Sequence, residues 1–266
     1  MMLRVLSLGA GVQSSTLALM AAHGEIDMPD AAIFADTQWE PRAVYEWLAW
    51  LETQLPFPVY RVTAGSLRYG VIAKQNATGQ RFASVPWYTI NPDNSLGMGR
   101  RQCTKEYKLV PLLQKKRELV GLAPRQRAKG TLCETLIGIS TDEALRMKPS
   151  HERWNINRFP LIEQRMSRSD CLRWMERNGY PTPPKSSCIV CPYHSDTEWR
   201  AVKADPTNWA DALEIDALIR EPVRGMRVRQ FMHRSCKPLA DVDLSTAEER
   251  GQLDMFIDEC EGMCGV

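Results

Sequence analysis

The chain has 266 residues, 44% of them hydrophobic and 25% charged, a balance that supports a sizeable core and excludes a disordered polymer. Its formal net charge of +2 is too small to signal a polyanionic partner by itself. The length fits one large α/β domain, or one domain with a small appendage, and no apolar run approaches the roughly 18 residues of a membrane span.

Met1-Met2-Leu3-Arg4 leads straight into a strand-like run, without the basic start and cleavage site of an export signal, so a cytoplasmic location is expected. In that compartment eight cysteines point to metal or redox use rather than to disulfides. Residues 3–8 read as a buried strand, and residues 12–23 carry helical periodicity through Leu17, Leu19 and Met20. A second strand spans 30–35 and ends at Asp36-Thr37. Residues 41–55 predict a helix, with Pro41 in its first turn and Val44, Trp47, Leu48 and Leu51 on one face. A third strand follows at 59–62. This βαβαβ order predicts an α/β fold: a parallel sheet with helices on both faces and right-handed crossovers.

Residues 77–101 are rich in Gly, Asn, Pro and Ser and read as a long loop over the carboxyl edge of the sheet, where ligands bind in such folds. Within it, Trp87 and Tyr88 are either base-stacking groups or loop anchors. Residues 104–120 predict a basic helix, broken or kinked near Pro111. Between Gly99 and Gly130 ten Lys or Arg stand against two Glu, which describes either a solvated face or one that meets nucleic acid or a nucleotide. Residues 134–139 form another buried strand. Ser167 caps a helix that runs through Asn178 and stops at Gly179. After Pro181-Thr-Pro-Pro184 the character changes. Residues 1–184 are therefore expected to form a nucleotide-binding α/β domain, and residues 185–266 a cysteine-bearing helical C-terminal appendage.

Four groups of residues carry candidate chemistry. The loop Gly9-Ala10-Gly11-Val12-Gln13-Ser14-Ser15, preceded by Ser7, joins strand to helix. Its glycines permit a close backbone approach, and the following helix presents N–H groups and a positive dipole end to a phosphate. Alone it is also compatible with a plain Gly-rich turn. Asp36-Thr37 could bind a ribose hydroxyl, an amine or a metal, or cap the next helix. Gly138-Ile-Ser-Thr-Asp-Glu143-Ala-Leu-Arg146 places Glu143 and Arg146 three apart, on one face if helical, to orient a nucleotide or to form a surface ion pair. Cys188-Ile-Val-Cys191-Pro192 is a two-thiolate knuckle, with Cys260 and Cys264 near the C-terminus and Cys103 in the basic segment as further ligands for iron–sulfur or zinc. Cys133, Cys171 and Cys236 read as inert buried thiols.

In this order the motifs resemble the phosphoadenosine phosphosulfate (PAPS) reductase branch of the adenine-nucleotide α-hydrolases, the ATP-pyrophosphatase or PP-loop group. Gly9 to Ser14 stands where that family has Ser-Gly-Gly-x-Asp-Ser, and Asp36-Thr37 matches its Asp-Thr. Cys103-Thr104 through Lys108 and Pro111, then Gly138, Glu143 and Arg146, then Pro160-Leu161, then Cys188 to Pro192 follow in family order. The resemblance covers residues 3 to 192 and is nearest in flavour to phage or prophage members with iron–sulfur centres. The chain departs from the pattern at Gln13 for the loop Asp, at Ala10 for a Gly and at a single Cys103 for a tandem pair. Its tail, Met263-Cys-Gly-Val266, only echoes the reductase ending.

The resemblance implies a Rossmann-like, HUP-type sheet that binds ATP or a related adenine nucleotide through Ser7, Gly9, Ala10, Gly11, Gln13, Ser14, Ser15, Asp36, Thr37, Gly138, Glu143 and Arg146, with Mg as a candidate companion of the phosphates. Asp36, Arg101 and Lys108 are the candidate catalytic residues, with Arg100 adding charge as pyrophosphate leaves. The expected reaction adenylates an oxygen of a nucleobase or other nucleic-acid component, and a sulfur donor then displaces AMP. A 4Fe-4S cluster on Cys188, Cys191, Cys260 and Cys264, or with Cys103 as a rival fourth ligand, would handle the sulfur. One alternative is a thiol-dependent PAPS or APS reductase in which Cys264 attacks sulfur and a small redox protein resolves the product. Another is a non-catalytic nucleic-acid binder with structural zinc. A homodimer is compatible with each.

Overall fold

The computed structural model describes residues 2–79, 85–221, 228–246 and 249. The chain opens with β1 (Leu3–Leu8), α1 (Val12–Ala22), β2 (Ala31–Asp36), α2 (Arg42–Gln54) and β3 (Val59–Thr63). Next come α3 (Leu67–Ile72) and two short strands, β4 (Tyr88–Ile90) and β5 (Leu96–Met98). A π-helical turn at Thr104–Leu109 runs into α4 (Val110–Leu119). Then follow β6 (Cys133–Ile137), a 3-10 turn at Thr141–Arg146, β7 (Asn155–Arg158), α5 (Pro160–Glu163) and α6 (Arg168–Arg177). The last described elements are α7 (Asp196–Ala204), α8 (Pro206–Arg220), β8 (Arg229–Phe231) and a 3-10 turn at Leu239–Asp241.

These elements form two compact units. One draws on Met1–Gly65 and Glu106–Ser186, the other on Ser66–Lys105 and Ser187–Gly265. A single boundary at 184 therefore misses that the stretch after β3 belongs with the C-terminal residues.

The first unit is the Rossmann-like α/β body. Its five strands lie in the order β3-β2-β1-β6-β7, every neighbouring pair parallel. Alternation along the strands sends side chains to opposite faces. Leu6, Leu8, Ala32, Phe34 and Leu136 pack into one core with Leu17 and Met20 of α1, Leu48 and Leu51 of α2, and Trp174 of α6. Val5, Ile33 and Cys133 point the other way, towards Leu112, Leu113 and Leu119 of α4. Helices thus cover both faces, which is why β2 reads as an unbroken apolar run.

Local chemistry explains the helix ends. Ser167 and Asp170 form a reciprocal capping box on α6, and Gly179 takes the left-handed conformation just beyond it. Near Pro111 the helix changes type without breaking: the π-helical turn ends at Leu109, which keeps helical φ and ψ, and Pro111 sits in the first turn of α4.

The second unit corrects the reading of residues 77–101 as a loop. β4 pairs with both β5 and β8 in an antiparallel sheet of order β5-β4-β8. The hairpin between β4 and β5 is held by Asp93, whose Oδ1 accepts the Ser95 N–H at 3.0 Å and its hydroxyl at 2.7 Å, while Asn94 adopts φ 63. Three-residue strands are too short to show alternation, so only the turn chemistry marked them. The expected helices of the appendage are present as α7 and α8, alongside β8. Among the described residues, no helix is long and apolar enough to cross a membrane.

Candidate functional site

The order β3-β2-β1-β6-β7 reverses direction between β1 and β6. The chain leaves β1 towards β2 and later returns to the opposite side for β6. Such a switch point opens a crevice at the carboxyl ends of the two strands. The loop at residues 9–15 and the turn at residues 138–146 form its two lips, both within the first unit.

The first lip is tightly folded. Ala10 is buried and left-handed, with φ 57. The Ser14 hydroxyl accepts the Gly9 N–H at 3.1 Å and donates to the Gly11 carbonyl at 3.4 Å. The Ser186 hydroxyl donates to the Gly9 carbonyl. A Cβ on Gly11 would meet the Ser186 Cβ at 3.2 Å, a tight contact that favours glycine here. Ser15 is fully buried and its hydroxyl accepts the Trp47 indole N–H at 2.9 Å, which directs it to the core rather than to the crevice. Ser7 lies on β1 in register with Ile33 and Ile137. α1 begins with no side-chain cap and no acidic residue in its first turn, leaving its positive end to an anion.

The second lip is a 3-10 turn, which puts Glu143 and Arg146 on one face as an ion pair. Gln13 bridges the lips. Its Nε2 donates to the Ser140 hydroxyl at 3.4 Å and to Glu143 Oε2 at 3.3 Å. Its Oε1 accepts from Arg168 at 3.4 Å. A carboxylate at position 13 would face the Glu143 carboxylate, so the neutral amide suits this neighbour. Arg168 is the first residue of α6, and its backbone N–H donates to Asp142 at 3.1 Å. Arg168, Ser140 and Ser186 were not among the sequence candidates. A cation at a helix N-terminus opposes the dipole, and that anomaly at Arg168 was the available signal.

Asp36 and Thr37 sit at the end of β2. Asp36 Oδ1 accepts the Gln38 N–H at 2.7 Å and the Tyr45 hydroxyl at 2.8 Å. Burial, reinforced by the Asp36 carboxylate, pushes the Tyr45 phenol up. The buried Thr37 hydroxyl donates to Glu40 Oε1 at 3.3 Å, and Lys108 Nζ lies 3.1 Å from the same oxygen. Asp36, Thr37, Glu40 and Lys108 therefore form one polar group in the first unit. Glu40 was not among the sequence candidates, since it belongs to no motif there. Arg101 belongs to the second unit, where its Nε donates to Thr104 at 3.0 Å and its guanidinium lies 5.3 Å from the Tyr193 ring centroid.

The basic stretch is not one uniform solvated face. Lys116 donates to Thr135 at 3.1 Å, and burial pushes its pKa down. Arg117 binds the Ala123 and Gln126 carbonyls at 2.8 and 2.9 Å. Lys115 lies 4.2 Å from the Tyr60 ring centroid. Arg125, Arg127 and Lys129 remain exposed.

Cys133 and Cys171 are fully buried, and burial pushes both thiols up, Cys171 to about 12. The knuckle turns through a Cys191 N–H to Cys188 carbonyl bond of 3.0 Å, followed by His194 N–H to Cys191 carbonyl at 3.1 Å. Among the described residues, no three His, Cys, Asp or Glu side chains group as metal ligands. Cys260 and Cys264 lie outside the described residues.

No family model matches the chain, and no curated protein matches it. Among solved structures it is similar to phosphoadenylyl-sulfate (PAPS) reductase from Candida auris in a phosphate complex, with 14% identity and a TM-score of 0.40 over 68% of this chain and 74% of that one.

Proposed function

We propose that the chain is an ATP-dependent adenylating enzyme of the ATP-pyrophosphatase type, which binds ATP or a related adenine nucleotide in the crevice between β1 and β6. The observation that carries this reading is the fork itself: an uncapped helix start, with no carboxylate in its first turn, tied by Gln13 to a turn bearing Arg146 and to Arg168. Backbone N–H groups at the start of α1 hold phosphate oxygens, and the two arginines offset their charge. A substrate oxygen forms a bond to the α-phosphorus, the bond to the bridging oxygen of the β-phosphate breaks, and pyrophosphate departs. A sulfur nucleophile then takes the carbon–oxygen position and AMP leaves. A nucleobase or other nucleic-acid component is the proposed acceptor, on the strength of the sequence resemblance. Cys188 and Cys191, with Cys260 and Cys264, would hold an iron–sulfur cluster that would supply or activate the sulfur, again on the strength of the sequence resemblance.

Thermal shift with ATP, AMP and PAPS, followed by a pyrophosphate-release assay with candidate acceptors, tests the reading. A ligand of the native state must raise the melting temperature by linkage. ATP is expected to do so, with AMP and pyrophosphate appearing only when acceptor is present. If none of the three nucleotides stabilises the protein, the proposal fails. Sulfite release from PAPS with thioredoxin would replace it by the reductase reading.

A further inference from the structure

Within the second unit, β8, the end of α8 and the turn at residues 236–238 line a half-open cavity of about 390 Å³. Strand register supplies one wall. Ile90 is paired with Arg229 and Tyr88 with Phe231, so Arg229 and Phe231 share a face with Ile90, and Gln230 takes the other. Arg220, in the last turn of α8, forms the second wall, and Cys236, Lys237 and Pro238 form the third.

One buried carboxylate ties these walls together. Asp216 of α8, 1% exposed, accepts the Leu239 N–H at 2.9 Å and the Met232 N–H at 3.4 Å. Arg220 Nε lies 3.3 Å from the same side chain and donates to the Asp216 carbonyl at 3.0 Å. Helix, strand end and turn are thus fixed by a single group, which makes the cavity a built feature rather than a surface crease. Cys236 holds a left-handed backbone, φ 51, with its N–H bonded to the His233 carbonyl at 3.0 Å.

The lining is chemically one-sided. Ile90, Phe231 and Pro238 give apolar surface; Arg229 and Lys237 give two cations beside Arg220, whose charge is matched by Asp216; among the described lining residues none is acidic. Burial pushes the Cys236 thiol up, so it stays protonated at neutral pH and adds no negative charge. A volume of this size suits a small organic ligand. We propose that this cavity binds a small amphiphilic anion, an aromatic or aliphatic body carrying a phosphate or carboxylate, with the body on Phe231 and the charge on Arg229 and Lys237. The residues of this cavity belong to the second unit, those of the nucleotide crevice to the first.

The test is calorimetric titration of the full chain with 1-naphthyl phosphate, 1-naphthoate and neutral 1-naphthol. One or both anions are expected to bind at least about tenfold more tightly than the naphthol, a difference of about 1.4 kcal/mol. The double variant Arg229→Gln/Lys237→Gln changes two exposed side chains and should lose that advantage while melting as the parent does. Bound anion should also slow alkylation of Cys236 by N-ethylmaleimide, read peptide by peptide by mass spectrometry. Preference for the phosphate or for the carboxylate identifies the headgroup. No detectable anion binding, equal affinity for naphthol, unchanged affinity in the double variant, or alkylation of Cys236 at the unliganded rate would each overturn the proposal.

Discussion

A Cβ placed on Gly138 would stand 2.9 Å from the backbone nitrogen of Ser14 and 3.0 Å from its Cα. The two lips of the crevice therefore touch backbone to backbone, and no flexible side chain can yield. Gly138→Ala must push the turn after β6 away from α1. Overpacking of this kind costs about 1–3 kcal/mol. The expected result is a lower denaturant midpoint and an ATP affinity reduced about tenfold or more, measured by equilibrium unfolding and nucleotide titration.

Ala10 presents the opposite case, a side chain where glycine would fit better. At φ 57 an alanine carries strain of about 1 kcal/mol that glycine avoids. Ala10→Gly is expected to raise the melting temperature by a few degrees, or at worst leave it unchanged after the entropy cost of glycine in the unfolded chain. A fall in stability beyond about 1 kcal/mol would mean that the loop is not held as described.

Arg168→Gln separates binding from folding. The residue is partly exposed at the start of α6, and its backbone bond to Asp142 survives the change. Stability should stay within about 0.5 kcal/mol of the parent. Nucleotide affinity should fall about tenfold, with a shallower salt dependence, as read by titration at several ionic strengths.

Thiol reactivity should divide the cysteines. Burial raises the Cys171 thiol to about 12, so the folded protein favours the neutral form. Its contribution to stability is complete below the unfolded value near 9 and is lost as pH rises through about 12. Native protein at pH 8 should leave Cys171 unmodified by an aromatic disulfide reagent, while the partly exposed Cys236 reacts. Mass mapping after brief labelling checks this.

The α6 cap should be acid-sensitive. The Ser167 hydroxyl, its backbone N–H and Arg173 together hold the Asp170 carboxyl down at about 2. A depressed carboxyl stabilises fully above its ordinary value near 3.8 and loses that contribution as pH falls towards 2. Ser167→Ala should cost about 1 kcal/mol at neutral pH. The gap from the parent should narrow below pH 3 in urea titrations.

Much of the first unit was legible because its signals are long. β2 is apolar from Ala31 to Ala35, α2 repeats Val44, Trp47, Leu48 and Leu51 on one face, and Ser167 with Gly179 brackets α6. β7 was missed, since Asn155 and Asn157 are unlike strand residues and are held there by side-chain bonds to Thr135, Ser150 and the Lys148 carbonyl. At the site, the loop at residues 9–15 and the Glu143–Arg146 pair were readable from spacing. Gln13 looked like a defect in a motif, and only its three-dimensional neighbours give it a bridging task. The second unit was largely illegible, because its sheet joins three-residue strands from distant parts of the chain.

That last feature bears on how the molecule comes into being. Tyr88 lies opposite Phe231 across β4 and β8, and Arg68 of α3 pairs with Asp211 and Glu214 of α8. A growing polypeptide makes α3, β4 and β5 long before their counterparts emerge. Those early segments must wait unsatisfied while α4, β6, β7 and α6 are still being synthesised. Truncation after Ser186 would strand them, so the α/β body is best studied with the later residues attached or with Ser66–Lys105 bridged by a short linker.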